Sequence, residues 1–470
     1  MNFCDIIQIQ IFLNTFISRK DFLMTFHLGI DIGTTSVAVI VIDPNSFQVA
    51  SVFESPHDAY VINENGYAEQ DIGKLLECTI GLIKRFSNEI LSQITTIGVA
   101  GQMHGIMLWN EEQTTNLITW QDQRASKSGR LKEIQKIPGC QALKDGFGFT
   151  SLAILSQDGK ISNFTHCGTI MDYIVWILLG KPKESFIDST NAASWGLFNI
   201  LSNEWDTNII KSLNIPLEIL PTIKQPGSII GKLNKEYANQ IGLGMLKDEV
   251  MIKCPIGDNQ ASVIGSSINV FEEIFVTVGT GSQLSIVIDK SEISALEPST
   301  KYEIRPFSKS KVLIVTAPLC GGQAWEILKD MTKEILTKFL DNSLTDEQIY
   351  KKLNELALQE LNSNDLPIIE PHFLGERWDP ESKGAITNLT LQNFSIGKIA
   401  AAMALGMAKN LKGNIPDKCF KNRKILLANG AAIRKNEVLA KAFEIVFGME
   451  VINAQRIEET AIGAAIVKSE

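Results

Sequence analysis

The chain has 470 residues, of which 44% are hydrophobic and 21% are charged. These values are typical of a folded protein of two or three domains and exclude a disordered or fibrous chain. The formal net charge of −9 argues against a nucleic-acid partner, because phosphate backbones select basic surfaces.

The first residues and the cysteines bear on where the protein resides. Residues 1–23 contain apolar residues with no basic region before them, which makes a poor signal peptide. We expect an unstructured or artefactual extension there, with Met24 a plausible start. The seven cysteines form no CxxC pair and the five histidines are dispersed, so we expect reduced cysteines in a cytoplasmic protein. No stretch reaches the roughly 18 apolar residues of a membrane span, so no membrane partner is expected.

A repeated pattern divides the rest of the chain. Residues 28–42 read LGIDIGTTSVAVIVI, and residues 274–288 read IFVTVGTGSQLSIVI. Each has two apolar runs joined by a turn of glycine, threonine and serine, which predicts a β-hairpin. Such turns can bind anions through backbone N–H groups and hydroxyls, although two ordinary hairpins remain the alternative. The candidate phosphate-binding residues are Gly33, Thr34, Thr35, Gly279, Thr280 and Gly281.

The other predicted elements alternate between strands and helices along the chain. The first half is predicted to contain the strand Ala50–Glu54, a helix at Ile72–Leu91 and the strand Thr96–Ala100. The second half is predicted to contain the strands Val312–Thr316 and Lys424–Leu427 and helices at Gly322–Phe339, 395–412 and Asn436–Phe447. This alternation is typical of α/β sheets covered by helices, and the boundary between the halves is expected near Pro255–Asp258.

Two aspartates lie at predicted turns. Asp258 follows flexible Gly257 and precedes a helix-like segment, so its carboxylate could accept a proton at a cleft or cap the helix. Asp31 opens the first glycine turn, where an ionised carboxylate would repel phosphate unless Mg²⁺ lies between them. A turn-capping aspartate is the alternative for Asp31.

Several short segments occur in the order known from one protein family. They are DIGTTS (31–36), GQMHG (101–105), WQDQR (120–124), GDNQA (257–261), GTGS (279–282), FLGER (373–377) and NGAA (429–432). With these segments, residues 24–470 resemble the FGGY carbohydrate kinases. The resemblance implies an α/β fold of two actin-like (ribonuclease-H-like) ATPase domains with the active site in the interdomain cleft. The sugar-binding domain would span 24–255 and the nucleotide-binding domain 256–470.

The resemblance also implies the chemistry and the site residues. ATP and Mg²⁺ would be the cofactors, Asp258 the catalytic base, and Asp31 the residue at the metal. Sugar contacts are implied for Gln102, Met103, His104, Trp120, Asp122 and Asn259. Adenosine contacts are implied for Gly430, Ala431 and Asn436. Glutamine and neutral histidine suit a polyhydroxylated ligand because they offer both donors and acceptors.

Three other segments favour a particular sugar. GTIMDY (168–173), NAASWGLFN (191–199) and PGSIIG (226–231) most resemble members that phosphorylate sedoheptulose. Members specific for xylulose are a looser match. The expected partners are therefore a small sugar and ATP, with the protein itself a monomer or a homodimer.

The chain departs from the family pattern at three places. Ala38 occupies a position where the family usually has lysine or arginine, and Ala428 one where it usually has glycine. The second phosphate turn also diverges around Gly281. Because of Ala38, a basic group near the transferred phosphate is missing. A catalytically silent sugar- or nucleotide-binding protein therefore remains the alternative to an active kinase.

Overall fold

The computed structural model describes residues 25–61, 66–340, 344–454 and 458–469, so the extension expected at 1–23 lies outside the described residues. The strands are β1 Phe26–Ile32, β2 Ser36–Ile42, β3 Val49–Pro56, β4 Tyr60–Val61, β5 Glu69–Gln70, β6 Ile94–Gly101, β7 Met107–Trp109, β8 Leu117–Ile118, β9 His166–Gly168, β10 Phe186–Asp188, β11 Phe198–Asn199, β12 Glu204–Trp205, β13 Thr222–Lys224, β14 Ile229–Lys232, β15 Met251–Lys253, β16 Ile256–Gly257, β17 Glu273–Val278, β18 Ser282–Asp289, β19 Glu303–Pro306, β20 Lys311–Thr316, β21 Ile368–Glu370, β22 Ala385–Thr387, β23 Ile425–Asn429 and β24 Glu450–Asn453.

The helices are α1 Ile72–Ile83, α2 Asn88–Leu91, α3 Arg124–Lys127, α4 Arg130–Gln135, α5 Gly148–Gln157, α6 Ile170–Leu178, α7 Ser189–Ser194, α8 Thr207–Ser212, α9 Lys235–Gln240, α10 Asp258–Ser266, α11 Gln323–Leu340, α12 Asp346–Glu360, α13 Ile396–Gly413, α14 Ala431–Lys435, α15 Glu437–Phe447 and α16 Glu459–Ile466. Short 3-10 helices lie at Leu217–Ile219, Lys290–Ala295 and Asp417–Phe420. Within the described ranges, no helix is both long and apolar enough to span a membrane.

Each half of the chain is built around one large sheet. The strand order is β14-β15-β6-β1-β2-β3 in the first sheet, with β16 also pairing with β6, and β19-β20-β18-β17-β23-β24 in the second. Both predicted hairpins, β1–β2 and β17–β18, are present and antiparallel. A third antiparallel strand extends each hairpin, and parallel strands continue the sheet on the other side. The prediction of two related α/β halves is confirmed.

The first sheet is covered by helices on both faces, which explains its continuous apolar strands. Leu28 and Val39 pack in the same core as side chains of α1 and α6. On the opposite face, Ile40 and Ile42 pack against side chains of α16. Helix α16 comes from the end of the chain, so the sheet of the first half is completed by residues of the second.

Glycines allow α16 to approach its neighbours closely. A Cβ added at Gly29 in β1 or Gly98 in β6 would overlap backbone carbonyls of α16. A Cβ added at Gly265 in α10 would overlap the carbonyl oxygen of Glu459, and one at Gly463 would overlap that of Ala261. Helices α10 and α16 are therefore packed backbone to backbone, and α10 begins with Asp258.

The segment predicted as one helix over Ile72–Leu91 is two helices, so that prediction was wrong in detail. Helix α1 ends at Ile83, and α2 begins at Asn88. The Ser87 hydroxyl accepts the N–H of Ile90 at 3.3 Å, which caps a new helix start. Phe86 is buried just before this cap and anchors the break against the core.

Candidate active site

The carboxyl ends of three strands of the first sheet meet at one edge. β1 and β16 both run parallel to β6, with Ile32 and Gly257 each paired with Gly101. This register brings together the three segments that follow these strands: the first glycine turn, GQMHG and the start of α10. Open α/β sheets commonly bind ligands at such an edge.

A cavity of about 740 Å³ lies at this edge, between residues of the two halves. From the first half it is lined by Met103, His104 and Trp120, and from the second by Asp258, Asn259 and residues of β19, among others. The structure thus brings five of the predicted catalytic and sugar-binding residues to one cavity. The other two, Gln102 and Asp122, do not line it.

Asp258 is the first residue of α10 and faces the cavity. Its Oδ1 accepts the backbone N–H of Asn259 at 2.6 Å. Burial raises the pKa of the Asp258 carboxyl to about 6, against the opposing effects of this hydrogen bond and of the nearby Arg305 charge. A carboxylate with such a pKa is ionised at neutral pH and is basic enough to accept a hydroxyl proton.

His104 is held in one orientation. Its backbone has a φ of 71°, a left-handed conformation that residues other than glycine rarely adopt. The Nδ1 atom lies 2.7 Å from the carbonyl oxygen of Ser194, and the ring stacks on Phe147 with centroids 4.9 Å apart. Burial, with the Arg305 charge, lowers the pKa of His104 to about 4. Since a carbonyl only accepts, Nδ1 carries the proton and Nε2 is an acceptor.

Neighbouring residues of the same segment have different environments. Met103 lines the cavity and packs against Gly257, where an added Cβ would lie 2.6 Å from the methionine sulfur. Gln102 is 1% exposed and donates from Nε2 to the Gly33 carbonyl at 3.3 Å and to Gln70 at 2.8 Å. Gln102 therefore supports the first glycine turn.

Trp120 connects the cavity with the first glycine turn. It is 47% exposed, lines the cavity, and donates from Nε1 to the Thr34 hydroxyl at 3.0 Å. Asp122 is 2% exposed and accepts Nε of Arg124 at 2.8 Å. Arg124 also pairs with Glu69 at 2.6 Å, so this arginine belongs to a buried ion-pair network.

The first glycine turn is braced from several sides. Gly33 donates its N–H to the Ser36 carbonyl at 3.0 Å. The Thr34 carbonyl accepts from Gln70 Nε2 at 2.8 Å and lies 3.1 Å from His57 Nε2. Thr35 is exposed at the tip of the turn. With its carbonyls engaged inside the protein, the turn can present N–H groups and hydroxyls to a ligand.

Asp31 is the next-to-last residue of β1, just before this turn. Its Oδ1 atom is buried and has no hydrogen-bond partner among the described residues. Burial raises the pKa of the Asp31 carboxyl to about 8, and the carboxylates of Asp258, Glu458 and Glu54 contribute in the same direction. An ionised Asp31 would therefore favour a cation beside it.

The second glycine turn and the adenosine candidates meet at the edge of the second sheet. Parallel strands β17 and β23 place Thr277 opposite Asn429, so the turn at Gly279 adjoins Gly430. Gly430 has a φ of 92° and precedes α14, whose first residue is Ala431. Gly279 donates its N–H to the Gly281 carbonyl at 3.0 Å, and the Thr280 carbonyl accepts the N–H of Gly321 at 3.0 Å.

Asn436, the remaining adenosine candidate, caps a helix. Its Oδ1 accepts the N–H of Leu439 at 3.2 Å at the start of α15. The residue is 8% exposed. This side chain therefore fixes the end of the connection between α14 and α15.

Comparison with known proteins identifies the family. The profile of the FGGY family of carbohydrate kinases, N-terminal domain, matches residues 26–265, which is more than half of the chain. The chain belongs to the FGGY family of carbohydrate kinases. It is a phosphotransferase that acts on a sugar hydroxyl.

Relatives of this FGGY kinase match along nearly its whole length. Sedoheptulokinase from Mus musculus is 27% identical, with 94% of this chain and 96% of the relative covered. A xylulose kinase from Rhodospirillum rubrum superposes with a TM-score of 0.77 at 17% identity, covering 94% of this chain and 89% of the other. Plasmodium falciparum glycerol kinase with ADP gives a TM-score of 0.73 at 20% identity, covering 94% and 88%. These superpositions confirm the two-domain actin-like fold.

The departure from the family pattern at Ala38 lies directly beside Asp31. In the register of the first sheet, Ala38 is paired with Asp31 on one side and with Glu54 on the other. Ala38 is buried and brings no charge. The position at which the FGGY family usually has a basic residue is thus flanked here by two carboxylates.

The environment of Asp31 fits a hydrated divalent cation. In the part of the chain that the structure describes, no group of three or more His, Cys, Asp or Glu side chains could enclose a metal ion. Mg²⁺ commonly keeps several waters and is bound by one or two carboxylates together with substrate phosphates. The orphaned Oδ1 of Asp31, next to the first glycine turn, suits that mode.

The substitution Asp31→Asn is expected to become more stabilising as the pH rises. The pKa of Asp31 is raised from 3.8 to about 8 in the folded protein, so between these values the folded state retains a proton that the unfolded state has lost. Rising pH then lowers the free energy of unfolding of the wild type, by up to about 1.4 kcal/mol per pH unit, but not that of the variant. Urea unfolding of both proteins at pH 5, 7 and 9 measures this; a constant difference would contradict it.

Three cavity residues were not found from the sequence. Arg305 donates to Glu303 at 2.7 Å and lies 3.5 Å from the Asn259 Oδ1. Lys144, from the first half, approaches Glu303 to 3.9 Å across the cavity. Alternation along β19 places Glu303 and Arg305 on one side of the strand, but no motif marks this segment, and Lys144 is distant in sequence.

Proposed function

We propose that this FGGY kinase phosphorylates sedoheptulose to sedoheptulose 7-phosphate with Mg-ATP. The observation that carries this proposal is the meeting of Asp258 with Met103, His104 and Trp120 in one cavity of about 740 Å³. The choice of sugar is supported by the similarity to a sedoheptulokinase along 94% of the chain.

The cavity residues would bind and orient the sugar. Nε2 of His104 accepts a sugar hydroxyl, because Nδ1 is protonated toward Ser194. The amide of Asn259 binds a second hydroxyl, and its Oδ1 lies 3.5 Å from the Arg305 guanidinium. Trp120 forms a wall of the cavity. Fixing the sugar in this way removes much of the entropic barrier to transfer.

Transfer would then take place between the two glycine turns. Asp258 accepts the proton of the sugar's terminal hydroxyl while the oxygen of that hydroxyl bonds to the γ-phosphorus of ATP. At the same time the bond between the γ-phosphorus and the oxygen that leaves with ADP breaks. The phosphates are bound by N–H groups and hydroxyls of the two glycine turns, Gly33–Thr35 and 279–281. Gly430 and Ala431 contact the adenosine. Mg²⁺ beside Asp31 would neutralise phosphate charge.

An ADP-release assay over a panel of sugars tests the proposal. We expect the highest kcat/KM with sedoheptulose, compared with xylulose, gluconate and glycerol, and a product phosphorylated at the terminal carbon by NMR. A higher kcat/KM with another sugar would reassign the substrate. Binding of ATP without turnover of any sugar would favour a catalytically silent protein. That alternative arises because Ala38 stands where the family usually has a basic residue.

A further inference from the structure

Helix α7, at Ser189–Ser194, contacts both sides of the proposed catalytic site. It is short, and most of its residues are buried. Its N-cap is Asp188, a buried carboxylate at the end of β10. None of the roles assigned above to the sugar, the nucleotide or the metal involves Asp188 or the first residues of this helix.

One end of α7 holds the backbone next to Asp258. The Thr190 hydroxyl accepts the N–H of Gly257 at 2.9 Å. The same hydroxyl donates its proton to the Asp188 carboxylate, which also accepts the backbone N–H of Thr190 at 2.7 Å. A hydroxyl has one proton and two acceptor sites, so the bond to Asp188 orients it to receive Gly257. The residue after Gly257 is the proposed base.

The other end of α7 holds His104. The Ser194 hydroxyl accepts the backbone N–H of His104 at 3.1 Å, and the Ser194 carbonyl lies 2.7 Å from Nδ1. The Ser194 hydroxyl donates to the Asn191 carbonyl at 2.7 Å, and Asn191 donates from Nδ2 to Asp188 at 2.6 Å. Asp188 therefore anchors the hydrogen bonds that reach both sides of the cavity.

We propose that Thr190 is a positioning residue for phosphoryl transfer, which sets the distance between Asp258 and the sugar held by His104. The inference rests on the proposed roles of Asp258 and His104. Bonds to a carboxylate are stronger than those between neutral groups, and the network is buried, so it holds both backbones firmly. Because small displacements of a reacting group strongly reduce rates, losing the Thr190 hydroxyl should affect the transfer step more than sugar binding.

Kinetics of three variants of α7 test this role. Thr190→Val keeps the shape of the side chain and should lower kcat about 10- to 100-fold with little change in the KM for sugar. Thr190→Ser should recover most of the rate. Ser194→Ala removes the hydroxyl that accepts the His104 N–H and should mainly raise KM. The control is Ser189→Ala, whose buried hydroxyl has no hydrogen-bond partner among the described residues and whose loss should leave kcat unchanged.

The outcomes separate this inference from the proposed substrate, because the variants are compared on whichever sugar the wild type prefers. Equal kcat values for Thr190→Val and Ser189→Ala, or a change confined to KM, would overturn the positioning role. Equal losses of kcat in both, matched by equal losses of melting temperature, would show a purely structural helix. If Thr190→Val does not fold, Thr190→Ala carries the same expectation. A wild type inactive on every sugar would overturn both proposals.

Discussion

Asp258→Asn is expected to lower kcat by about 10²- to 10⁴-fold, the usual effect of losing a general base, with ATP and sugar affinities almost unchanged. Asparagine keeps the shape and can still accept the N–H of Asn259 through its amide oxygen, but it cannot take up the hydroxyl proton. Steady-state ADP release measures kcat, and calorimetry measures both affinities. The wild-type kcat/KM should also fall below a pH of about 6, where Asp258 becomes protonated.

Asp145→Asn provides a matched control. Asp145 also lines the cavity, and its Oδ1 accepts the N–H of Ser126 at 3.0 Å, a bond that an amide oxygen can replace. We expect this variant to keep a kcat close to that of the wild type, because it removes no reacting group. An Asp258→Asn protein with more than half of the wild-type rate would show that Asp258 is not the base.

Gly265→Ala is expected to destabilise the protein by about 1–3 kcal/mol, the usual cost of overpacking, and to lower activity as well. The added methyl group would overlap the backbone carbonyl of Glu459, and a backbone atom cannot rotate aside as a side chain can. Helices α10 and α16 would have to separate, and α10 carries Asp258 at its first position. Denaturant unfolding and kcat measured on the same preparation test the coupling between the two effects.

Gly81→Ala is the control for helix propensity. Gly81 also lies inside a helix, α1, and an added Cβ there has nothing within 4 Å. This substitution should stabilise the protein by about 0.5–1 kcal/mol, because alanine loses less backbone entropy than glycine. If both variants were stabilised alike, α10 and α16 would not be in the contact described.

The hairpins could be predicted from the sequence because both strands and the turn of each lie within one short segment of the chain. Two apolar runs with a glycine turn between Ile32 and Ser36 are sufficient to indicate two paired strands. The role of Ser87 was missed because a single hydroxyl decides whether the helix continues or a new one begins. Periodicity over Ile72–Leu91 averages over such a residue and does not reveal it.

Motifs indicated the neighbourhood of the site but not which way each side chain points. Gln102 and His104 are two positions apart, yet one is bonded to the first glycine turn and the other lines the cavity. Arg305 could not be predicted, because its proximity to Asn259 arises only when the edge of the second sheet meets α10. Spatial proximity between distant segments leaves no pattern in a single sequence.

The packing of α16 on the first sheet has a consequence for synthesis of the protein. The Ala465 carbonyl accepts from Lys253 at 2.7 Å and lies 2.9 Å from the His27 Nδ1, a partner 438 positions earlier in the chain. A ribosome adds roughly 5–20 residues per second, so tens of seconds pass between the appearance of β1 and that of the helix that covers it. Until then, one face of the first sheet is bare, and contacts of such long range fold slowly. We therefore expect this face of the first sheet to remain uncovered until the residues of α16 have been synthesised.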